Sequence, residues 1–138
     1  MEETTYPGRG KVAVVRTSPD TVLDDYARLM DLVGFREILP QAHKTLLKIN
    51  ISWQTWYPAC STTPWQLEGV IRPLQDAGYD LLGVHNDTVV VDTGDGEANN
   101  KQRYVTDKYD VPCAYIYQPE VDWIRYEPQQ PFLVLDDI

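Results

Sequence analysis

Short apolar runs alternate along the chain with stripes of apolar residues at helical spacing. Residues 11–16, KVAVVR, are nearly continuous in β-branched and small side chains, which is typical of a strand covered on both faces. Ser18 and Pro19 then supply a helix N-cap and a proline at the first helical position. An apolar stripe from Val22 to Val33 follows, and Gly34 is placed to end that helix.

A second strand and a second helix are predicted next. Residues 44–51, KTLLKINI, indicate a strand with two polar residues near its end. The run 63–66, TPWQ, is a capping box, with threonine as the N-cap and glutamine three residues later. Gly78 is placed to end this helix, and Pro73 is expected to kink or shorten it, because proline removes one backbone hydrogen bond.

The second half of the chain predicts a mixture of strands and one polar helix. Residues 79–85, YDLLGVH, indicate a third strand, and residues 94–110 a surface helix with a weak apolar stripe. Residues 112–117, PCAYIY, indicate a fourth strand. Two further strand candidates are residues 121–127 and 131–136.

The order of these elements predicts an α/β fold. Strands that alternate with helices form a parallel sheet, because each helix returns the chain to the end of the sheet where the strands begin, and these crossover connections are right-handed. We therefore expect a three-layer sandwich with a mostly parallel sheet and helices on both faces. Residues 1–10 are expected to be a flexible leader. Residues 11–138 are expected to form a single α/β domain, because 43% apolar content in 138 residues is enough for one core.

Charge is distributed unevenly along the chain. Residues 1–60 carry seven acidic and seven basic residues, whereas residues 61–138 carry fourteen and five. The excess negative charge repels phosphate backbones and anionic lipids, so we expect no nucleic acid and no membrane as partner. No stretch approaches the roughly 20 apolar residues of a membrane helix, and the opening residues are too polar for a secretory signal. These features predict a cytoplasmic location.

The cysteine positions and the absence of known catalytic motifs exclude several kinds of site. Cys60 and Cys113 lie far apart and form no CxxC pair, so no metal site is predicted from this chain alone, and both are interpreted as idle thiols. The glycine-rich nucleotide motifs, the zinc-protease motif and the nucleophile elbow of hydrolases are absent. The sequence therefore identifies no catalytic residue and no cofactor.

Polar residues gather where the second and third predicted strands end. In parallel sheets ligands bind beyond the carboxyl ends of the strands, so these positions form the candidate ligand site. Backbone N–H groups at the start of the second helix, together with a lysine, would favour a phosphate or carboxylate. The candidate ligand-binding residues are Lys48, Asn50, Ser61, Thr62, Thr63, His85, Asn86 and Asp87.

Each of these residues also has a purely structural interpretation. The hydroxyl groups of residues 61–63 could do no more than cap the second helix, and Lys48 could extend from the sheet edge into solvent. His85 could exchange a proton near neutral pH or serve only as a hydrogen-bonded surface residue. Asn86 and Asp87 are ordinary turn formers.

Four aromatic residues are concentrated in one loop and the helical turn after it. They are Trp53, Trp56, Tyr57 and Trp65. Such a cluster could line an apolar pocket or an interface, or it could form a hydrophobic plug over one end of the sheet.

The stretch from LLKINISW through ACSTTPWQLEGVIRPLQDAGYDLLGVHN resembles the domain of unknown function 362 family. The matching positions are Lys48, Asn50, Thr62, Thr63, Ala77 and Gly78. The resemblance implies an α/β fold without an agreed activity, sometimes joined to a ferredoxin-like iron–sulfur module. Family members are typically longer, so the chain is expected to be the first half of a longer family domain.

Three functional hypotheses follow from these observations. The leading one is a domain that binds a small anionic molecule at the carboxyl edge of the strands. The second is an interaction or assembly module that uses the tryptophan-rich loop and the C-terminal strand, either as a homo-oligomer or with a missing second-half chain. The third is a fragment of a redox-associated enzyme that works with an iron–sulfur partner.

Overall fold

A computed structural model of the chain describes residues 8–58, 60–85 and 92–125. The leader up to residue 7 and the predicted strand 131–136 lie outside the described residues. The elements are helices α1 (Val22–Val33) and α2 (Phe35–Ile38), strand β1 (Thr45–Lys48), helix α3 (Pro64–Asp76), strand β2 (Leu81–His85), helices α4 (Thr93–Asn99) and α5 (Gln102–Lys108), and strand β3 (Cys113–Tyr115).

The described strands form one parallel sheet in the order β1, β2, β3. Thr45 of β1 is aligned with Leu81 of β2, and Gly83 of β2 with Cys113 of β3. Each pair of neighbouring strands is connected through at least one helix, as parallel strands require. The α/β class and the parallel sheet predicted from the sequence are therefore confirmed.

Helix α1 begins three residues later than its sequence signal predicts. Ser18 and Pro19 lie in a turn, in which Thr21 N–H donates to the Ser18 carbonyl at 3.1 Å, and Thr21 is the N-cap. The Thr21 hydroxyl donates to Asp25 at 2.6 Å. At the other end, Gly34 adopts φ 76° and ends the helix, as predicted.

The predicted strand at residues 11–16 is not a strand. No described strand pairs with it, and Val12 and Val14 are 86% and 85% exposed. Val15 instead lines an open surface groove together with Tyr26 and Leu29 of α1. The apolar run has strand propensity, but a strand also needs a neighbouring strand to accept its backbone hydrogen bonds.

Helix α3 begins at its predicted capping box. Thr63 is the N-cap, and its hydroxyl accepts a hydrogen bond from Gln66 N–H at 3.3 Å. The helix continues through Pro73 to Asp76, so the expected shortening is wrong. Gly78 follows with φ 82° and its N–H donates to the Gln75 carbonyl, which closes the helix in the left-handed conformation.

The single surface helix predicted at residues 94–110 is wrong in two respects. The segment forms two helices, α4 and α5, and the chain changes direction at Lys101, where φ is 63°. Its polar residues are also not all on the surface, since Asn100, Gln102 and Thr106 are buried. The polar composition of this segment was interpreted as a sign of exposure. The amide side chains are buried instead, because they donate hydrogen bonds to carbonyl groups of the loop after β1.

The remaining strand predictions are shorter or absent in the structure. The third strand begins at Leu81, and the fourth is limited to Cys113–Tyr115. Residues 121–125 form no strand, and the side chains of Trp123 and Ile124 are exposed. That part of the strand predicted at residues 121–127 is therefore wrong.

The core joins the sheet to helices α3 and α5. Ile71 and Leu74 of α3 pack with Ile49, Leu81 and Val105 in one buried cluster. Helix α1 packs on α3 but contains no fully buried residue. Among the described residues, no helix has the length and apolar character needed to cross a membrane.

Candidate functional site

The carboxyl ends of the three strands meet at one edge of the sheet. Lys48, the last residue of β1, is aligned with Val84 of β2. His85, the last residue of β2, is aligned with Tyr115, the last residue of β3. The structure therefore places Lys48 and His85 on neighbouring strands at the same edge.

Lys48 and His85 nevertheless point to opposite faces of the sheet. Side chains alternate between the two faces along a strand, and aligned residues of parallel strands share a face. Because Lys48 is aligned with Val84, the next residue, His85, points to the other face. The burial pattern agrees, since Lys48 is exposed whereas Ile49 and Ile51 are buried.

Contacts around Gly83 identify the face that His85 shares. A Cβ atom on Gly83 would lie 2.8 Å from Cys113 Sγ and 3.3 Å from Ile49 Cδ1. These residues therefore lie on one face, and His85, two residues after Gly83, points to it as well. The pocket predicted from the sequence is thus divided by the sheet, with Lys48 on one side and His85 on the other.

The polar residues between β1 and α3 bond with one another. Asn50 N–H donates to Thr62 Oγ1 at 3.0 Å, and the Asn50 side-chain amide donates to the Cys60 carbonyl at 2.9 Å. Ser61 Oγ accepts from Ser52 N–H at 3.1 Å, and Thr63 caps α3. These predicted ligand residues hold the loop together, and their hydroxyl groups are already occupied by backbone donors.

The other predicted site residues do not add ligand-binding groups to this loop. Lys48 Nζ donates to the Ile49 carbonyl at 2.8 Å and remains exposed. His85 is buried. Asn86 and Asp87 lie outside the described residues.

A charged cluster on the His85 side of the sheet was not predicted. Glu97 of α4 is 5% exposed, and its Oε2 atom accepts two hydrogen bonds. Arg103 Nη2 of α5 donates at 2.8 Å, and the Tyr115 hydroxyl at the end of β3 donates at 2.7 Å. The Arg103 side chain is 47% exposed, so its guanidinium faces both the buried carboxylate and solvent.

The two donors of this cluster keep their protons over the physiological range. The hydrogen bond that Arg103 donates to Glu97 raises the pKa of Arg103, with Tyr115 contributing in the same direction. Burial raises the pKa of Tyr115, and its hydrogen bond to Glu97 adds to the rise. The cluster therefore holds a charged guanidinium, paired with the Glu97 carboxylate, and a neutral phenol at the sheet edge.

Sequence reasoning missed this cluster because the polarity of α4 and α5 was interpreted as exposure. Glu97 and Arg103 are six positions apart and lie on different helices, so no helical spacing relates them. The sequence did contain one signal, namely the charged residues on the segment between β2 and β3. Side chains on such a connecting segment can reach the strand ends.

Two buried amides attach the aromatic loop to the same region. Asn100 Nδ2 donates to the Trp53 carbonyl at 2.7 Å. Gln102 Nε2 donates to the carbonyls of Asn50 and Thr62 at 3.1 and 2.7 Å. The connection between α4 and α5 therefore fixes the loop that leaves β1, next to the charged cluster.

The aromatic cluster is a surface feature, and the plug expected as one alternative is not found. Trp53, Trp56, Tyr57 and Trp65 are between 40% and 58% exposed. Trp56 and Trp65 meet edge to face, with ring centroids 6.2 Å apart. Trp65 also borders an open groove of about 540 Å³, together with residues 17–19 and Val22.

The described residues offer no assembled metal site. Within residues 8–58, 60–85 and 92–125, no three His, Cys, Asp or Glu side chains are grouped as metal ligands. Cys60 and Cys113 are both free thiols, and neither is fully buried.

Comparisons with known proteins do not identify a family. No family model, no curated protein and no solved structure matches the chain. The resemblance to the domain of unknown function 362 family is neither supported nor contradicted, and it stays a prediction.

Proposed function

We propose that the chain binds a small anionic molecule at the carboxyl edge of its sheet, on the side that faces α4 and α5. The observation that carries this proposal is the half-exposed Arg103 guanidinium, held by the buried Glu97 beside Tyr115. Carboxyl ends of parallel strands are the usual place for ligands in α/β folds.

Glu97 prepares Arg103 for an anion by fixing its position. A guanidinium carries five N–H donors in a planar fork, and the described bond to Glu97 uses Nη2. The ion pair restricts the side chain before the ligand arrives, which lowers the entropy cost of binding. His85 and Tyr115 would line the same edge, because they are aligned on β2 and β3.

This proposal revises the residues expected to bind, while the class of ligand stays the same. Lys48 points to the opposite face, and residues 61–63 are engaged in capping and loop bonds. An anion bound by Lys48 would therefore lie at a competing site on that opposite face.

Titration calorimetry with acetate, benzoate and inorganic phosphate distinguishes the two sites. We expect Arg103→Gln to weaken binding of the preferred anion about tenfold or more, since a charge-assisted hydrogen bond contributes about 1.5–3 kcal/mol. Arg103→Lys should retain part of the affinity, and Lys48→Ala should bind like the unmodified chain. Thermal unfolding of each variant verifies that it is folded.

Two results would contradict the proposal. One is the absence of binding heat with every anion. The other is loss of binding in Lys48→Ala with full binding in Arg103→Gln, which would move the site to the opposite face of the sheet.

A second candidate function is assembly through the aromatic cluster. Four large aromatic side chains are about half exposed within one loop and the following helical turn, and Val12 and Val14 are also exposed. Exposed apolar patches of this kind mark interaction sites in folded proteins. The partner would be a second copy of the chain or a separate second-half chain.

Sedimentation velocity over a range of concentrations tests this candidate for self-assembly. If the cluster forms the interface, Trp65→Ala should lower the association constant, while Tyr104→Ala, an exposed aromatic outside the cluster, should leave it unchanged. A monomer at every concentration, with or without the substitution, would rule out a second copy as the partner.

We further infer a cytoplasmic location, because both cysteines are free thiols and such thiols persist in reducing compartments. The role as a fragment of a redox-associated enzyme with an iron–sulfur partner stays a prediction.

A further inference from the structure

We infer that the ligand of the Arg103 site is a monocarboxylate and that the site rejects phosphate esters and other multiply charged anions. This inference rests on the proposed anion-binding function. It follows from the charges that surround Arg103.

Arg103 is paired with one carboxylate, Glu97, and a second carboxylate, Asp92, lies nearby. Glu97 Oε2 lies 2.8 Å from Arg103 Nη2. A Cβ atom on Gly94 would lie 3.4 Å from Arg103 Nη2 and 3.2 Å from Asp92 Oδ1, so the guanidinium and the Asp92 carboxylate both lie against this residue. One described cation is thus accompanied by two anions.

Asp95 adds a further negative charge in the first turn of α4. Its Oδ2 atom accepts a hydrogen bond from Gln54 at 2.8 Å, which holds the carboxylate beside the aromatic loop. Lys101 lies at the break between α4 and α5, and its side chain is exposed. The surroundings of the site are therefore acidic, in keeping with the acidic second half of the chain.

The excess of carboxylates over cations around Arg103 makes the affinity for an anion depend on its charge. A monocarboxylate can share the guanidinium with Glu97 and adds one negative charge. A phosphate monoester carries about two negative charges near neutral pH, which doubles both its attraction to Arg103 and its repulsion from the carboxylates. Because Glu97 already neutralises Arg103 and Asp92 adds one more negative charge, the repulsion is the larger of the two. Repulsion between unit charges at these separations near a protein surface corresponds to roughly a tenfold loss of affinity or more.

Shape favours the same ligand class. The guanidinium fork is planar and matches a planar carboxylate with two parallel hydrogen bonds. The Tyr115 hydroxyl, now bonded to Glu97 at 2.7 Å, stays protonated and could donate to a ligand oxygen in place of that bond. Glu97 is in this account the specificity-determining residue, because it holds the guanidinium and limits the negative charge that the site accepts.

Acetate and methyl phosphate form a matched pair of probes, since both are small and differ in the charge and shape of the anionic group. We would titrate each into the ¹⁵N-labelled full chain near neutral pH and at constant ionic strength, and follow the Arg103 side-chain Nε–H signal. Acetate is expected to bind roughly tenfold more tightly than methyl phosphate. Glu97→Gln should reduce this ratio severalfold or reverse it.

Two further variants separate the charge effect from damage to the fold. Asp92 is the N-cap of α4, with Oδ1 accepting from Asp95 N–H at 2.8 Å. Asp92→Asn keeps a capping side chain and should also lower the ratio. Glu68→Gln removes a carboxylate with little exposure to solvent that pairs with Lys108 away from Arg103, and it should leave the ratio unchanged.

The outcomes keep the inference and the proposed function apart. If methyl phosphate binds as tightly as acetate or more tightly in the unmodified chain, the monocarboxylate inference is overturned and anion binding stands. If the ratio stays the same in both Glu97→Gln and Asp92→Asn, the charge argument fails. If neither probe moves the Arg103 signal, the proposed function itself is overturned.

Discussion

Glu97 illustrates at the scale of one residue how a buried charge can be tolerated. An unpaired buried carboxylate would cost several kcal/mol, and the charge is retained only where hydrogen bonds and an opposite charge compensate for it. Arg103 and Tyr115 supply both to the same Glu97 oxygen. The arrangement stabilises the junction of α4, α5 and β3 and leaves the outer part of the guanidinium accessible.

Glu68 is a second carboxylate with little exposure to solvent, and it makes stability depend on pH. Burial alone would raise the pKa of Glu68, but hydrogen bonds from Lys108 and Tyr109, both 2.7 Å long, outweigh it and lower the pKa. A depressed carboxyl pKa contributes stability above the unfolded value of 4.5, and this contribution is lost as the pH falls through the lower folded value.

We therefore expect Glu68→Gln to flatten the dependence of the unfolding free energy on pH between neutral and acidic conditions. Urea unfolding at a series of pH values measures this dependence. The exposed Glu37→Gln serves as the control. An equally steep acid loss in Glu68→Gln and in the unmodified chain would show that this carboxyl does not contribute to it.

The candidate site was predictable only in part, because the face of a sheet on which a side chain lies depends on register. Lys48 and His85 end consecutive strands, and the sequence therefore places them at one edge. A shift of one residue in the pairing moves a side chain to the other face, and no local signal in the sequence sets that pairing. The divided pocket followed from the alignment of Lys48 with Val84.

Among the elements, helix α3 was predicted well because its signals are local. Thr63 caps the helix, apolar residues keep helical spacing, and Gly78 has the positive φ that ends it. Each of these effects acts within a few residues. Pro73 removes one backbone hydrogen bond, yet the helix continues for three more residues, and both Pro73 and Leu74 are buried in the packed face of α3.

Two elements were predicted wrongly because their state depends on distant partners. Residues 11–16 have strand propensity but no described strand beside them. Asn100 and Gln102 are polar but buried, because loop carbonyls about 40 to 50 positions earlier accept their hydrogen bonds. The composition of a segment indicates the secondary structure and the exposure that it favours. Contacts with distant parts of the chain decide whether the segment adopts them.

At the scale of the whole molecule, two surfaces remain for function. The sheet edge beside α4 and α5 offers a positioned cation and a phenol donor within acidic surroundings. The aromatic cluster offers apolar surface, and Asn100 connects its loop to the same helices through the Trp53 carbonyl. A ligand at the edge and a partner on the aromatic cluster would therefore contact adjoining parts of one structure.

The central claim is that anions bind on the His85 side of the sheet edge, and a map of backbone amide shifts tests it most directly. Acetate is titrated into the ¹⁵N-labelled full chain, and the shifted amides are placed on the structure. The account predicts the largest shifts at Gly94, Arg103 and Tyr115, with Lys48 little changed. Shifts concentrated at Lys48, with Gly94, Arg103 and Tyr115 unchanged, would contradict the account and assign the site to the opposite face.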